Sequence, residues 1–264
     1  MSEVLQKGSV GAEVGNWQRF LNESGFRDAG GKPLVLDEIF FGKTFEATCF
    51  FQECEKLTVT GKLDLPTRTI AMAQDFVPFV QAKICRILYP QKRTEIAVIV
   101  IHTMEHVEKP KAAQDVAAWF AERAAPEFPA PMASAHYCID DQETWQGVRD
   151  TDVAWHAMQA NREGIGIEHA GFARQSAEDW KDEYSLALLA RSARLSAKLC
   201  ARHRIPIVKL SPNDLLSDKR GFCGHADVSL AFKTPGGHTD PGPHFPWDFY
   251  LDQVRTFFTG RKTA

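Results

Sequence analysis

Apolar positions in the first quarter of the chain recur at helical spacing. In VGNWQRFLNESGF, Val14, Trp17, Phe20 and Leu21 fall on one face, and Gly25 ends the run. A second helix is predicted over FGKTFEATCFFQECEKL, with Thr44 as its N-cap and Phe51 and Leu57 directed into a core. Gly61 turns the chain, and Pro66-Thr67 opens a third short helix in LPTRTIAMAQ. Residues 76–92 carry two prolines and no clear period, so they read as a connector.

From about residue 94 the pattern changes to alternating strands and helices. EIAVIVIH is a continuous, largely β-branched run of the buried-strand type. KAAQDVAAWFAERAA follows as a helix with Ala113, Val116, Ala117 and Phe120 on one face. SAHYCID and GIGIEHAG read as further strands. A long helix is predicted from near Ser176 through LALLARSARLSAKLCARH, with Leu188, Leu195 and Leu199 at core spacing and the small Ser192 on the same face. The expected architecture is α/β: a mixed central sheet flanked by helices over residues 93–264, preceded by a three-helix domain over residues 1–75.

Composition changes this picture little. Of 264 residues, 44% are hydrophobic and 25% charged, enough apolar material for a proper core. A net charge of −3 gives no general electrostatic case for nucleic acid or an anionic membrane surface. The N-terminus lacks the apolar stretch of a secretory signal, and no run reaches the ~18–20 apolar residues that span a bilayer. The expectation is a soluble chain made in the cytoplasm. Six cysteines without CxxC pairs are expected to be free thiols, with Cys223 close enough to His225 to be weighed as a ligand.

The chemistry gathers near the C-terminus, in GFCGHADVSLAFKTPGGHTDPGPHFPW. His102, at the end of the strand IAVIVIH, would open into a cleft. With His225 and Asp240 it makes two imidazoles and a carboxylate around an open position, the donor set of a catalytic zinc site. In GIGIE, strand alternation puts Ile165 and Ile167 on one face and Gly164, Gly166 and Glu168 on the other. The glycine face is expected to leave room for a ligand and to project the Glu168 carboxylate into it. Trp155 offers a flat apolar surface for a sugar or lactyl group, and Asn161 can hydrogen-bond peptide amides. His106, His169, His203 and His244 receive no role from spacing.

The motifs IVIHTME, SAHYCID, AWHAMQANREGIGIEHAG, GHADVS and GGHTDPGPHFPW, in this order, resemble the zinc-dependent N-acetylmuramoyl-L-alanine amidases, a family that includes phage lytic amidases and peptidoglycan-recognition proteins. The resemblance implies that His102, His225 and Asp240 bind Zn2+ and that Glu168 is the general base and then the general acid. His238, where many relatives have lysine, would stabilise the oxyanion. His136 and His156 would line the cleft or orient ligands, and Cys223 is not needed. Lytic relatives with a catalytic tyrosine place it where this chain has Ala135, and Tyr137 is expected in the core. The N-terminal pattern "W-Q-x-F-L", "F-Q" and "P-T" resembles the three-helix peptidoglycan-binding domain of cell-wall hydrolases.

Together these imply a monomeric peptidoglycan hydrolase that cuts the amide between N-acetylmuramic acid and L-alanine. A phage or prophage endolysin, reaching the wall through a holin-type lesion, fits best, and a delivered antibacterial effector fits as well. The alternatives are a cytosolic muropeptide-recycling amidase and a non-catalytic peptidoglycan receptor.

Overall fold

A computed structural model of the protein describes residues 3–82, 93, 95–122, 133–234 and 236–260. The chain divides into two compact units, Met1–Phe79 and Val80–Ala264.

The first unit contains helices α1 (Ala12–Glu23), α2 (Gly42–Cys54) and α3 (Leu65–Ala73). The predicted stripe of Val14, Trp17, Phe20 and Leu21 is buried, and Trp17 meets Phe20, Phe51 and Phe76 at ring separations of 5.3, 5.4 and 5.4 Å. Each large side chain buried this way is worth roughly 1.5–3 kcal/mol. Phe76, placed in the connector by its lack of period, thus belongs to this core. Thr44 does not cap α2. The helix begins two positions earlier at Gly42, and the buried Thr44 hydroxyl instead lies 3.0 Å from the Gln18 side-chain amide. Asp64 caps α3 by accepting from the Thr67 N–H at 3.2 Å. Gly61 has φ +65°, and a Cβ there would stand 2.1 Å from the Phe45 ring.

The second unit is built on a mixed sheet in the order β3-β2-β4-β1-β5. Its strands are β1 (Val98–Thr103), β2 (Tyr137–Ile139), β3 (Thr144–Gln146), β4 (Gly164–His169) and β5 (Gly221–Gly224). Strands β2, β4, β1 and β5 run parallel, and β3 is antiparallel to β2. Ile99, Ile101, Ile165, Ile167 and Phe222 are fully buried on one face of the sheet. Helices α5 (Glu183–His203) and α8 (Trp247–Gly260) supply Leu188, Leu189, Tyr250 and Val254 to the core. Helix α4 (Ala112–Glu122) buries Ala113, Ala117 and Phe120 as predicted, while Val116 is only half-buried; the expected last turn past residue 122 lies outside the described residues. Helices α6 (Pro212–Leu216) and α7 (His225–Ala231) contribute Leu215 and Val228 to a cluster with Val98 and Val100.

Helix α5 begins at Glu183 rather than near Ser176. Asp179 accepts from the Ser176 N–H at 2.8 Å and holds that segment in a turn, and Asp182 caps the helix through the Ser185 N–H at 2.7 Å. Val80 and Ala82 donate N–H groups to the carbonyls of Gln146 and Gly147 at 2.9 and 2.8 Å, so the connector's middle belongs to this unit; residues 83–92 lie outside the described residues. Cys49, Cys54, Cys138, Cys200 and Cys223 are free thiols, and Cys85 lies outside the described residues. Among the described residues, no helix is long and apolar enough to cross a membrane.

Candidate metal centre and active site

The site forms where three parallel strands end side by side. Register places His102 of β1 directly opposite Glu168 of β4, and β5 ends at Gly224, immediately before His225 opens α7. Gly224 is needed there, because a Cβ would lie 2.6 Å from Pro241 of the loop that brings Asp240 back. His102, His225 and Asp240 are all buried, and one ligand atom from each lies within 4.8 Å of the others.

The donor atoms face each other. Asp240 Oδ2 is 2.9 Å from His102 Nδ1, and Oδ1 is 3.3 Å from His225 Nδ1. Burial pushes the Asp240 carboxyl up, but hydrogen bonding and charge interactions with His102 and His225 outweigh it and hold it below the ordinary range. Burial lowers the pKa of His102, with Asp240 opposing. An ionised carboxylate and an imidazole that resists protonation keep lone pairs free, so this N2O set fits a borderline divalent cation such as zinc.

Glu168 is half-buried, with Oε2 enclosed and without a hydrogen-bond partner among the described residues. Burial, then the negative charges of Asp240 and Glu105, raise its pKa well above the usual glutamate range. The carboxyl opens on a cavity of about 500 Å3 lined by Thr103, Met104, Val116, Trp119 and Phe120. A second cavity of about 810 Å3 adjoins His238 and includes Ser229, Lys233, Thr239 and Trp247. His238 is exposed, stacks on His225 at 3.9 Å, and has Nδ1 3.6 Å from Asp240 Oδ1.

The glycine face does not hold open space for a ligand. A Cβ on Gly166 would stand 2.7 Å from the His156 ring, and one on Gly164 would stand 3.0 Å from it: the imidazole of His156 fills that room. His156 Nδ1 in turn lies 3.1 Å from His102 Nε2. Asn161 is buried, and its Oδ1 accepts the N–H groups of His156 and Ala157 at 2.9 and 2.7 Å, so it clamps this loop rather than facing a substrate. His136 is fully buried off the cleft. Its Nδ1 accepts from the Gly166 N–H at 3.0 Å, and its Nε2 lies 2.9 Å from Arg93. Trp155 is half-buried, pairs through its backbone with Ser134, and lines neither cavity. Of the four residues expected to meet substrate, only His156 reaches the cluster directly.

Two residues without a sequence role matter here. His169 is fully buried with Nδ1 3.1 Å from the His102 carbonyl and Nε2 2.7 Å from the Ser192 hydroxyl. Alternation could have found it, since it ends the apolar face of β4 and faces the small Ser192. Arg93 sits in a cage of carbonyls from Asp150 and residues 161, 162 and 164. Burial lowers its pKa to about 10. No periodicity marks it.

The N-acetylmuramoyl-L-alanine amidase family matches residues 92–243, more than half of the chain. This chain belongs to that family. N-acetylmuramoyl-L-alanine amidase A of Achromobacter lyticus is 30% identical over 174 residues, covering 63% of this chain and 87% of the relative. Among solved structures, the Staphylococcus aureus hydrolase AmiA in complex with its ligand is 14% identical with a TM-score of 0.48, covering 72% of this chain and 89% of that one. A mutant endolysin from Bacillus subtilis is 20% identical with a TM-score of 0.40, covering 67% and 99%. The chain is thus a hydrolase of the peptidoglycan amidase family, and its donor cluster lies inside the matched segment.

Proposed function

We propose that the second unit is a zinc-dependent amidase that hydrolyses the bond between the lactyl group of N-acetylmuramic acid and L-alanine, and that the first unit holds it on peptidoglycan. The convergence of His102, His225 and Asp240 within 4.8 Å, beside the unpartnered Glu168 carboxyl, carries this reading. Zinc held by these three residues supplies Lewis acidity that brings the pKa of water to roughly 7. Glu168 takes the proton of the attacking water and returns it to the departing amine nitrogen. Its enclosed carboxyl holds a proton readily, which suits the return step. His238, exposed beside Asp240, donates to the oxyanion that forms from the carbonyl. One cavity is lined by Glu168 and the other by His238, so each proposed catalytic side chain has room beside it for part of the substrate.

The pairing of a wall-binding unit with a wall-cutting one suits a monomeric lytic enzyme of the endolysin kind, kept on an insoluble substrate by its first unit. Zinc-loaded protein is incubated with sacculi and the products are read by mass spectrometry. Stem peptides with a free N-terminal L-alanine are expected, and fragments that keep the lactyl–alanine bond would overturn the assignment. Residues 80–264 alone should sediment less with sacculi yet turn over a soluble muropeptide at a similar rate. Equal sedimentation would remove the anchoring role.

A further inference from the structure

The atoms around His102 make a string that reaches away from the donor cluster. His102 Nε2 lies 3.1 Å from His156 Nδ1, and His156 Nε2 lies 3.3 Å from the Gly164 carbonyl oxygen. The Gly164 oxygen can only accept. A neutral His156 with its proton on Nε2 satisfies it and leaves Nδ1 as an acceptor. His102 must then donate from Nε2, which leaves its Nδ1 lone pair for a cation set between it and Asp240; without a cation, the 2.9 Å approach of Nδ1 to Asp240 Oδ2 needs a proton there instead. The opposite assignment, with a proton on His156 Nδ1, would set the Nε2 lone pair against the Gly164 oxygen. It would also take the proton from His102 Nε2.

We propose that His156 is the positioning residue that fixes the tautomer and ring orientation of His102, with the Gly164 carbonyl as the fixed end of the string. Resting on the reading of His102 as a metal ligand, this assigns Nδ1 as the ligating atom. Independent features of the structure hold His156 to the task. Glycines at 164 and 166 admit its ring, since a Cβ on either would come within 3.0 Å. Asn161 fixes its backbone by accepting the N–H groups of residues 156 and 157. His136 packs edge-on against it at 5.5 Å, itself held by the Gly166 N–H.

The test is zinc affinity by chelator competition on the full chain, with thermal melting of the metal-free forms as a control for folding. His156→Phe keeps the volume and removes the acceptor, and should weaken zinc binding roughly 10–100-fold. His156→Asn places an amide oxygen near the position of Nδ1 and should recover most of that loss. Equal weakening in both variants, at equal metal-free stability, would overturn the proposal, as would unchanged affinity in His156→Phe. Long-range 1H–15N NMR of the wild type reads the tautomers without any substitution. A proton on Nε2 of both His102 and His156 in the zinc-loaded protein is expected, and zinc on His102 Nε2 overturns the assignment. If the protein took up no zinc, the metal-ligand reading would fail by itself. The metal-free spectrum would still decide the string by showing which nitrogen of His156 carries its proton.

Discussion

Both units bury polar side chains, but to different ends. In the first, Gln18 accepts from the Glu38 N–H and lies within hydrogen-bonding distance of Asp37, Ile39 and Thr44. Gln52 does the same for Thr60, Gly61, Lys62 and Thr67. Each amide ties several backbone and side-chain groups together at once, and the result is a fixed shape. In the second unit, His102, His136, His156, His169 and His225 are buried, and Asp240 with them. His102, His156, His225 and Asp240 meet one another, and a carboxyl oxygen of Glu168 has no hydrogen-bond partner among the described residues. Saturated burial builds a scaffold; burial that leaves a lone pair over builds a reagent.

Breaking the reagent should have the largest effects. His102→Ala or Asp240→Ala should abolish both zinc content and muropeptide turnover, and chelation of the wild type should do the same until zinc is returned. Retained turnover in a verified metal-free sample would end the metal account. Glu168→Gln keeps shape and should keep zinc, while lowering turnover roughly 10²–10⁴-fold. His238→Ala should lower it roughly 10²–10³-fold with little change in substrate affinity, and His238→Lys should retain much more, because a donor remains.

Scaffold changes should register in stability instead. Gln52→Leu strands the N–H groups of Thr60 and Gly61 and should cost the first unit about 3 kcal/mol in denaturant melts. Turnover of a soluble muropeptide should not change. A loss there would show that the two kinds of burial are coupled.

His169 gives the most graded test. Burial holds its pKa at about 4 against 6.5 when free. The unfolded chain therefore takes up the proton first as pH falls. Its contribution is complete above about pH 6.5 and is lost progressively down to about pH 4, amounting to about 3 kcal/mol. Burial lowers His102, His136 and His156 in the same direction, so the quantity to measure is the difference in pH slope between wild type and His169→Gln. Parallel slopes would mean that His169 is not held neutral.

How much of this was legible in the sequence depended on distance along the chain. Periodicity revealed α1, β1, β4 and the body of α5, because each writes its own pattern of burial. It missed β3 and β5, which are short and rely on neighbours for their pairing. Thr44 looked like a cap because hydroxyls favour that place, and the long helix was expected from near Ser176, but each side chain has a different partner nearby. The donor set was legible as a set of residue types. The use of the glycine face was not, since an empty strand face and one filled by His156 from the loop just before it read alike. For the same reason Asn161 looked like a contact for a substrate and His136 like a residue lining the cleft, whereas Asn161 accepts from backbone N–H groups and His136 lies between the Gly166 N–H and the Arg93 guanidinium.

Tyr250 shows how far this bonding extends. Its hydroxyl lies 2.9 Å from Ser192 and 2.8 Å from Ser196, and Ser192 reaches His169, which holds the carbonyl of His102. Helix α8 is therefore fastened to the strand that carries the first proposed ligand, through three buried side chains, Tyr250, Ser192 and His169. A load hung on the end of α8, such as a tether, a fused passenger or a solid support, would pull along this line. Immobilisation through the opposite end of the chain should leave the second unit's chemistry undisturbed, whereas attachment just after Gly260 should be felt at His102.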